Sequence, residues 1–413
     1  MGDSLSPKRP IVRVNGGSGR PPAGFVQGMD KTFVKPDWPP LRNDEVRAVL
    51  RQYERIDGAE VGLGAVITWR SPRPMSGACL VRWKDQSVFV KRHHASVRTP
   101  LQLRVEHAFT DHLRACGQRL PAVLRNTSED TVVQSREFIY EVHERAHGID
   151  LYRDVPSWHP FTSLDHARAT GHALAQFHLA ARDFARPPRA PGVLMSSVAI
   201  VSSADPITEL RRLLLARPAL ARAVASHSFE EDVTCNHLDA INVVAPLLNA
   251  LDPQWGHGDW HPSNLTWTST APTATVSGVL DLGLANRTFA VHDLAVAIER
   301  STVDWLDLAE VGHVVADLAA VDAVLCGYED VRPLEALEVL ALVALLPVVH
   351  FEYALSEVEY FAAVVGSEVN TQLAYDSYLV GHARWYTTAD GSILLEHLRR
   401  HHWRGGRESG HGA

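Results

Sequence analysis

The sequence predicts an α+β protein of two lobes, a small antiparallel β-rich lobe followed by a large helical one. Three observations carry that expectation. Between about residues 60 and 145 the apolar residues fall in short runs rich in β-branched and aromatic side chains, separated by turn compositions. After residue 148 the apolar spacing becomes that of helices buried along one face. The charge balance changes too. Residues 281–380 hold seventeen carboxylates against three arginines and no lysine, a balance of −14, whereas residues 1–280 balance at +4 and residues 381–413 at +2. A basic first part and an acidic last part point to two ligands of different character.

The chain has 413 residues, 46% apolar and 21% charged, enough for one large two-lobed unit with a sizeable core. Residues 1–30 are rich in Gly, Pro and Ser and read as a disordered segment. Residues 31–147 read as the small lobe, 148–400 as the large lobe, and 401–413 as a flexible tail. Cys79, Cys116, Cys235 and Cys326 lie far apart with no CxxC pair, which reads as reduced thiols rather than a disulfide or zinc framework. The N-terminus has no apolar signal core, so a cytoplasmic location is expected. The longest apolar run, after Glu338, is interrupted by Pro347 and reads as a buried helix rather than a membrane span. No basic stripe with interleaved aromatics suggests nucleic-acid binding.

In chain order, AVITWR (65–70), GACLVRW (77–83) and SVFVKR (87–92) predict a meander of three strands. A helix follows, capped by Thr99, with Pro100 in its first turn, stopped by Gly117, and with Leu101, Val105, Phe109 and Leu113 as its apolar face. TVVQS and EFIYEVHE predict two more strands. In the large lobe Leu174, Phe177 and Ala181 share a helix face, SGVLDLG (277–283) returns to strand, and residues 290–375 read as helix.

The densest chemistry lies in HGDWHPSNL (257–265), too polar to be a core element. A turn-rich TSTAPTA separates it from TVSGVLDLG, so a hairpin should bring Asp281 back beside Asn264. Asp259, Asn264 and Asp281 would then form an oxygen-rich set that suits Mg²⁺, not zinc, although His257 and His261 are near.

HGDWHPSN, LDLGLA and HDLAVAI (292–298), in this order and spacing, resemble the signature of the aminoglycoside phosphotransferase and choline kinase-like family. The resemblance is strongest over 257–298 and extends as a layout over about 60–400. It implies a protein kinase-like fold and ATP- and Mg²⁺-dependent phosphorylation of a small-molecule hydroxyl. On the family's pattern Asp259 matches the catalytic base, and Asn264 and Asp281 the metal ligands. Lys91 matches the lysine on the donor phosphates, and Glu106 the carboxylate paired with it. His257 reads as a brace for the loop, and Asp293 as a helix cap or a tie for the catalytic loop.

The kinase G-x-G-x-x-G loop is missing, which argues against a protein kinase. Ser76 and Gly77 are the candidate phosphate-loop contacts. Glu141 and His143 in YEVHERAHGIDL are the candidate hinge residues whose backbone would bind adenine. Glu352 and Glu359, two turns apart on one helix with Tyr353 and Tyr360 beside them, are candidates for a cationic acceptor, with exposed helix charge as the competing reading. The remaining alternatives are a non-catalytic nucleotide-binding regulator and a kinase for a neutral sugar or homoserine.

Overall fold

A computed structural model describes residues 21–22, 24–28, 32–53, 64–75, 77–190 and 192–408. Ser76 and nearly all of the expected N-terminal disordered segment lie outside the described residues. Two strands, β1 (Val26–Gln27) and β2 (Phe33–Val34), and helix α1 (Asn43–Leu50) precede the meander. Then come β3 (Val66–Arg70), β4 (Gly77–Trp83), β5 (Gln86–His94), α2 (Pro100–Ala115), β6 (Val133–Ser135) and β7 (Phe138–Glu144). These make a five-stranded antiparallel sheet in the order β3-β4-β5-β7-β6. Its outer face packs on α1 through Val46, Val49, Leu50, Cys79, Val81 and Val90.

Successive strand residues face opposite ways. On β5 that sends Arg92 to the α1 side, where it pairs with Glu45 at 2.7 Å, and Lys91 to the α2 side. Helix α2 starts as expected: Thr99 accepts from the Gln102 amide and Pro100 occupies the first turn. Its buried face differs from the expected one. Leu101 is 71% exposed, while Leu103, Glu106, His107, Phe109, Thr110 and Leu113 are buried.

The large lobe opens with α3 (Leu164–Ala181) and continues through α4 (Pro206–Ala216), α5 (Pro218–Val224), α6 (Phe229–Asn236) and α7 (Leu238–Leu248). Short strands β8 (Gln254–Gly256), β9 (Leu265–Trp267), β10 (Val276–Val279) and β11 (Asn286–Thr288) form two antiparallel pairs, β8 with β11 and β9 with β10. Helices α8 (Ala290–Thr302), α9 (Trp305–Val311), α10 (Leu318–Glu329), α11 (Ala336–Leu345) and α12 (Phe351–Glu359) follow. Leu174, Phe177 and Ala181 of α3 are fully buried, as their spacing requires. The stretch Ala336–Val365 is long and apolar enough to cross a membrane, but 78% of its most apolar window is buried inside the fold. The thiols of the four cysteines are free.

Candidate active site

Short strands and turns, rather than helices, position the candidate catalytic loop. Pairing of β8 with β11 sets Gly256 opposite Asn286, and the chain leaves β8 directly into His257–Gly258–Asp259. Gly258 has φ +76°, and a Cβ there would stand 2.7 Å from the Leu284 carbonyl oxygen, so the turn requires glycine. Asp293 of α8 ties this turn down. Its carboxylate accepts from the amides of His257 at 2.6 Å and Gly258 at 2.7 Å, and from His178 of α3 at 3.1 Å. Burial alone would raise the Asp293 pKa. The histidine partners His178 and His292 outweigh it and hold this carboxyl well below the usual range. His257, fully buried, reaches the Leu280 carbonyl at 2.8 Å and so joins the loop to the residue before Asp281.

Asn264 closes a short 3₁₀ turn, Pro262–Asn264, and its carbonyl accepts from the Leu280 amide at 2.9 Å. The β9–β10 hairpin therefore returns Asp281 beside Asn264, the juxtaposition expected from the spacing. The Asn264 Nδ2 donates to the Asp259 carbonyl at 2.9 Å and to Asp259 Oδ2 at 3.0 Å. Its donors are thereby spent, and its Oδ1 is left as an acceptor for a cation. Asp281 is in the left-handed region, φ +54°, a conformation Asp tolerates and that recurs where a side chain must be aimed.

Lys91 crosses from β5 to Asp281, Nζ to Oδ1 2.7 Å. Burial would lower the Lys91 pKa, but Asp281, Glu141 and Glu106 around it prevail and push it up. Burial would conversely raise that of Asp281, and Lys91 brings it down to about 2. Both groups are therefore charged at neutral pH.

Several expectations need correction. Glu106 does not pair with Lys91. Its carboxylate receives Arg189 Nη1 at 3.2 Å, and Arg189 in turn donates to the Gly283 carbonyl, two residues after Asp281. The loop that follows α3 supplies this arginine, and no local pattern in the sequence announces it. Glu141 and His143 are not hinge residues. Both lie inside β7, opposite Lys91 and Phe89 of β5, and on the other edge Val142 and Glu144 bond to Leu124 and Ala122. The strand runs three residues further than a hinge at Glu141 allows, which moves the crossover to Arg145–Gly148. Gly77 is the first residue of β4, paired with Arg92.

The acceptor candidates on α12 change most. Glu352 is spent on the amides of Ala199, Ile200 and Val201, at 3.2, 2.6 and 3.0 Å. Glu359 pairs with Arg217. The carboxylate that the spacing argument missed is Glu357, on the same helix, with no exposed surface. Among the described residues neither of its oxygens has a hydrogen-bond partner, and His350 Nε2 stands 3.6 Å away. Burial pushes the Glu357 pKa up to about 8, against the pull of Arg300.

Arg300 was also missed. It lies seven residues after Asp293 on α8, two helical turns along the same face. Its Nη1 contacts Asp259 Oδ1, and its guanidinium lies over the rings of Trp158 at 5.0 Å and Tyr353 at 4.9 Å. Asp259 is thus held from two sides, by Asn264 and Arg300, with His261 Nε2 a further 3.4 Å from Oδ1.

A two-lobed fold with a sheet lysine meeting an Asp-x-Gly carboxylate, beside an Asp-Asn loop, defines the class of kinase-like phosphotransferases. The profile of the phosphotransferase enzyme family matches residues 76–340, and the chain belongs to that family. The fold is that of solved relatives. An aminoglycoside phosphotransferase from Alicyclobacillus acidocaldarius subsp. acidocaldarius DSM 446 superposes with a TM-score of 0.51 at 18% identity, over 88% of this chain and 97% of that one. A microcompartment-associated aminopropanol kinase superposes with a TM-score of 0.53 at 17% identity, over 85% of this chain and 99% of that one. No curated protein matches the sequence.

Proposed function

We propose that this phosphotransferase moves the γ-phosphoryl group of ATP, with Mg²⁺, to a hydroxyl of a small cationic molecule. The observation that carries the reading is the convergence of Lys91, Asp281, Asn264 and Asp259, with 2.7 Å between the first two and 3.0 Å between the last two. The donor set fits Mg²⁺: one carboxylate, one amide oxygen and room for phosphate and water oxygens, with the Asp281 side chain 43% exposed to the cleft. Asp281 and Asn264 would hold the ion, which supplies charge neutralisation on the donor phosphates. Lys91 binds those phosphates through its ammonium. Asp259 Oδ2 accepts the acceptor's hydroxyl proton, and Arg300 and Asn264 fix the direction in which that carboxylate faces.

The cationic acceptor rests on the −14 balance of residues 281–380 and on Glu357. With its pKa near 8 Glu357 holds a proton at neutral pH, and a cationic group brought beside it would favour its ionised form. The test is phosphotransfer from γ-labelled ATP with Mg²⁺ to a panel of aminoglycosides, amino alcohols, neutral sugars and homoserine. Transfer to amine-bearing alcohols is expected. Transfer only to the neutral sugars overturns the cationic assignment, and no transfer to any hydroxyl, with nucleotide still bound, favours the non-catalytic regulator.

A further inference from the structure

Beside Lys91, on the α2 face of the sheet, three histidines meet one carboxylate. Lys91 is directly opposite Glu141 in the β5–β7 ladder, and Phe89 is opposite His143. Residues two apart share a sheet face, so His93, Glu141 and His143 all point toward α2, from which His107 reaches back. His93 Nε2 is 2.9 Å from Glu141 Oε1. His107 Nε2 and His143 Nε2 are 2.6 and 3.0 Å from Oε2. Glu141 and His107 are buried, and the His93 and His143 side chains are 9% and 19% exposed.

This is a metal-ligand set by chemistry and by support. Two imidazole nitrogens and one carboxylate, with water as the fourth ligand, are donors that zinc takes in four-coordinate sites. The donor atoms of His107, Glu141 and His143 all lie within 4.8 Å of one another. Zinc bonds of about 2.0–2.2 Å place neighbouring ligand atoms roughly 3.3 Å apart, within reach of small side-chain rotations from the distances here. His107 has the outer partner that metal-bound imidazoles carry: its Nδ1 meets Thr131 Oγ1 at 2.7 Å, which suits the tautomer with its lone pair on Nε2. The three ligands come from α2 and β7, rigid elements rather than loops, and His93 of β5 backs the second Glu141 oxygen.

We infer that His107, Glu141 and His143 form a zinc site in the small lobe, with His93 holding the second oxygen of Glu141, separate from the proposed Mg²⁺ ligands Asn264 and Asp281. Such an ion ties α2 to the sheet at Lys91, a link that Glu106 does not make here because Arg189 engages it.

The test uses the untagged, nucleotide-free, full-length chain. After chelator dialysis it is loaded with Zn²⁺ alone and dialysed again, and bound metal is counted by mass spectrometry. About one zinc per chain is expected, with a raised melting temperature. His107→Gln and His143→Gln should each lose at least about tenfold in zinc affinity, and Asp281→Asn should keep it. Cobalt substitution of the unmutated chain gives a reading independent of any variant's folding: the intense visible absorption of a four-coordinate ion is expected. A folded wild-type chain that retains no zinc, and whose melting temperature zinc does not move, overturns the site and leaves a carboxylate hydrogen-bonded by imidazoles. Equal zinc retention by both histidine variants, or only the weak absorption of six-coordinate cobalt, overturns it as well. None of these readouts depends on phosphotransfer, so this inference and the proposed reaction fail separately.

Discussion

Glu141 and Glu357 are both buried carboxylates within the candidate catalytic region, and their surroundings are opposite. Glu141 faces three imidazoles and is held well below the usual carboxylate range. Burial raises its pKa, and His143, His107 and His93 more than offset that. Glu357 has no hydrogen-bond partner among the described residues, and its pKa rises to about 8. The donor side of the cleft, with Lys91–Asp281 and Glu106–Arg189 already paired, has its charges satisfied by the protein itself. Glu357, by contrast, has no hydrogen-bond partner for either oxygen among the described residues, with His350 3.6 Å away. On the proposed function, that contrast sets a pre-organised donor side against a Glu357 whose charge is left for the acceptor to settle.

Four outcomes sharpen or break that contrast, in descending order of their effect on catalysis. Arg300→Gln removes the guanidinium that aims Asp259, and turnover should fall about 10²-fold with the KM for ATP little changed. Steady-state kinetics with ATP varied decides it; an equal loss in ATP affinity would move Arg300 to the donor side. Glu357→Gln should raise the acceptor KM by roughly tenfold or more, the loss of one charged hydrogen bond, without altering the KM for ATP. An unchanged acceptor KM removes Glu357 from recognition.

The third outcome follows from linkage. With its folded-state pKa near 8 against 4.5 when free, Glu357 keeps a proton that the unfolded chain loses across that window. Stability should therefore fall as pH rises from about 4.5 to 8, by no more than about 5 kcal/mol from this group. Urea unfolding of wild type and Glu357→Gln across that range checks the sign. The wild type should lose stability relative to the variant, and parallel curves would contradict it. Smallest for catalysis is Glu352→Gln. It should cost roughly 1–3 kcal/mol of stability, because three backbone amides lose a charged acceptor, while the acceptor KM stays put. A raised acceptor KM would restore Glu352 to the site.

The parts legible in the sequence are those built by neighbours in the chain. Asp259, Asn264 and Asp281 converge through one turn and one hairpin, so spacing and turn chemistry alone were enough to bring them together. The alternation on β5 likewise separated Lys91 from Arg92. What the sequence did not yield depends on contacts between distant segments. Arg189 and Glu106 are eighty-three residues apart, and the loop after α3 that carries Arg189 has no periodic pattern. Helical spacing placed Glu352 and Glu359 on one face, but the turn at residues 199–201 and Arg217 decide what that face meets. Leu101 fitted an every-fourth-residue stripe, yet the buried face of α2 runs through Leu103 and His107, because the sheet approaches from that side. Glu141 looked like a hinge residue because the end of β7 is set by its pairing with β5 and residues 122–124, not by its own composition.

The central claim is that Asp259 accepts the proton of an attacking hydroxyl at a site where Lys91 and Asp281 hold the donor. It is tested most directly by Asp259→Asn, a change that keeps the shape of the side chain and removes its basicity. Turnover on the acceptor found in the panel should fall by roughly 10²–10⁴-fold. Nucleotide affinity, measured by calorimetry with Mg²⁺ and a non-hydrolysable ATP analogue, should stay within about threefold of wild type, because the donor-side groups are untouched. Full activity in Asp259→Asn would contradict the account.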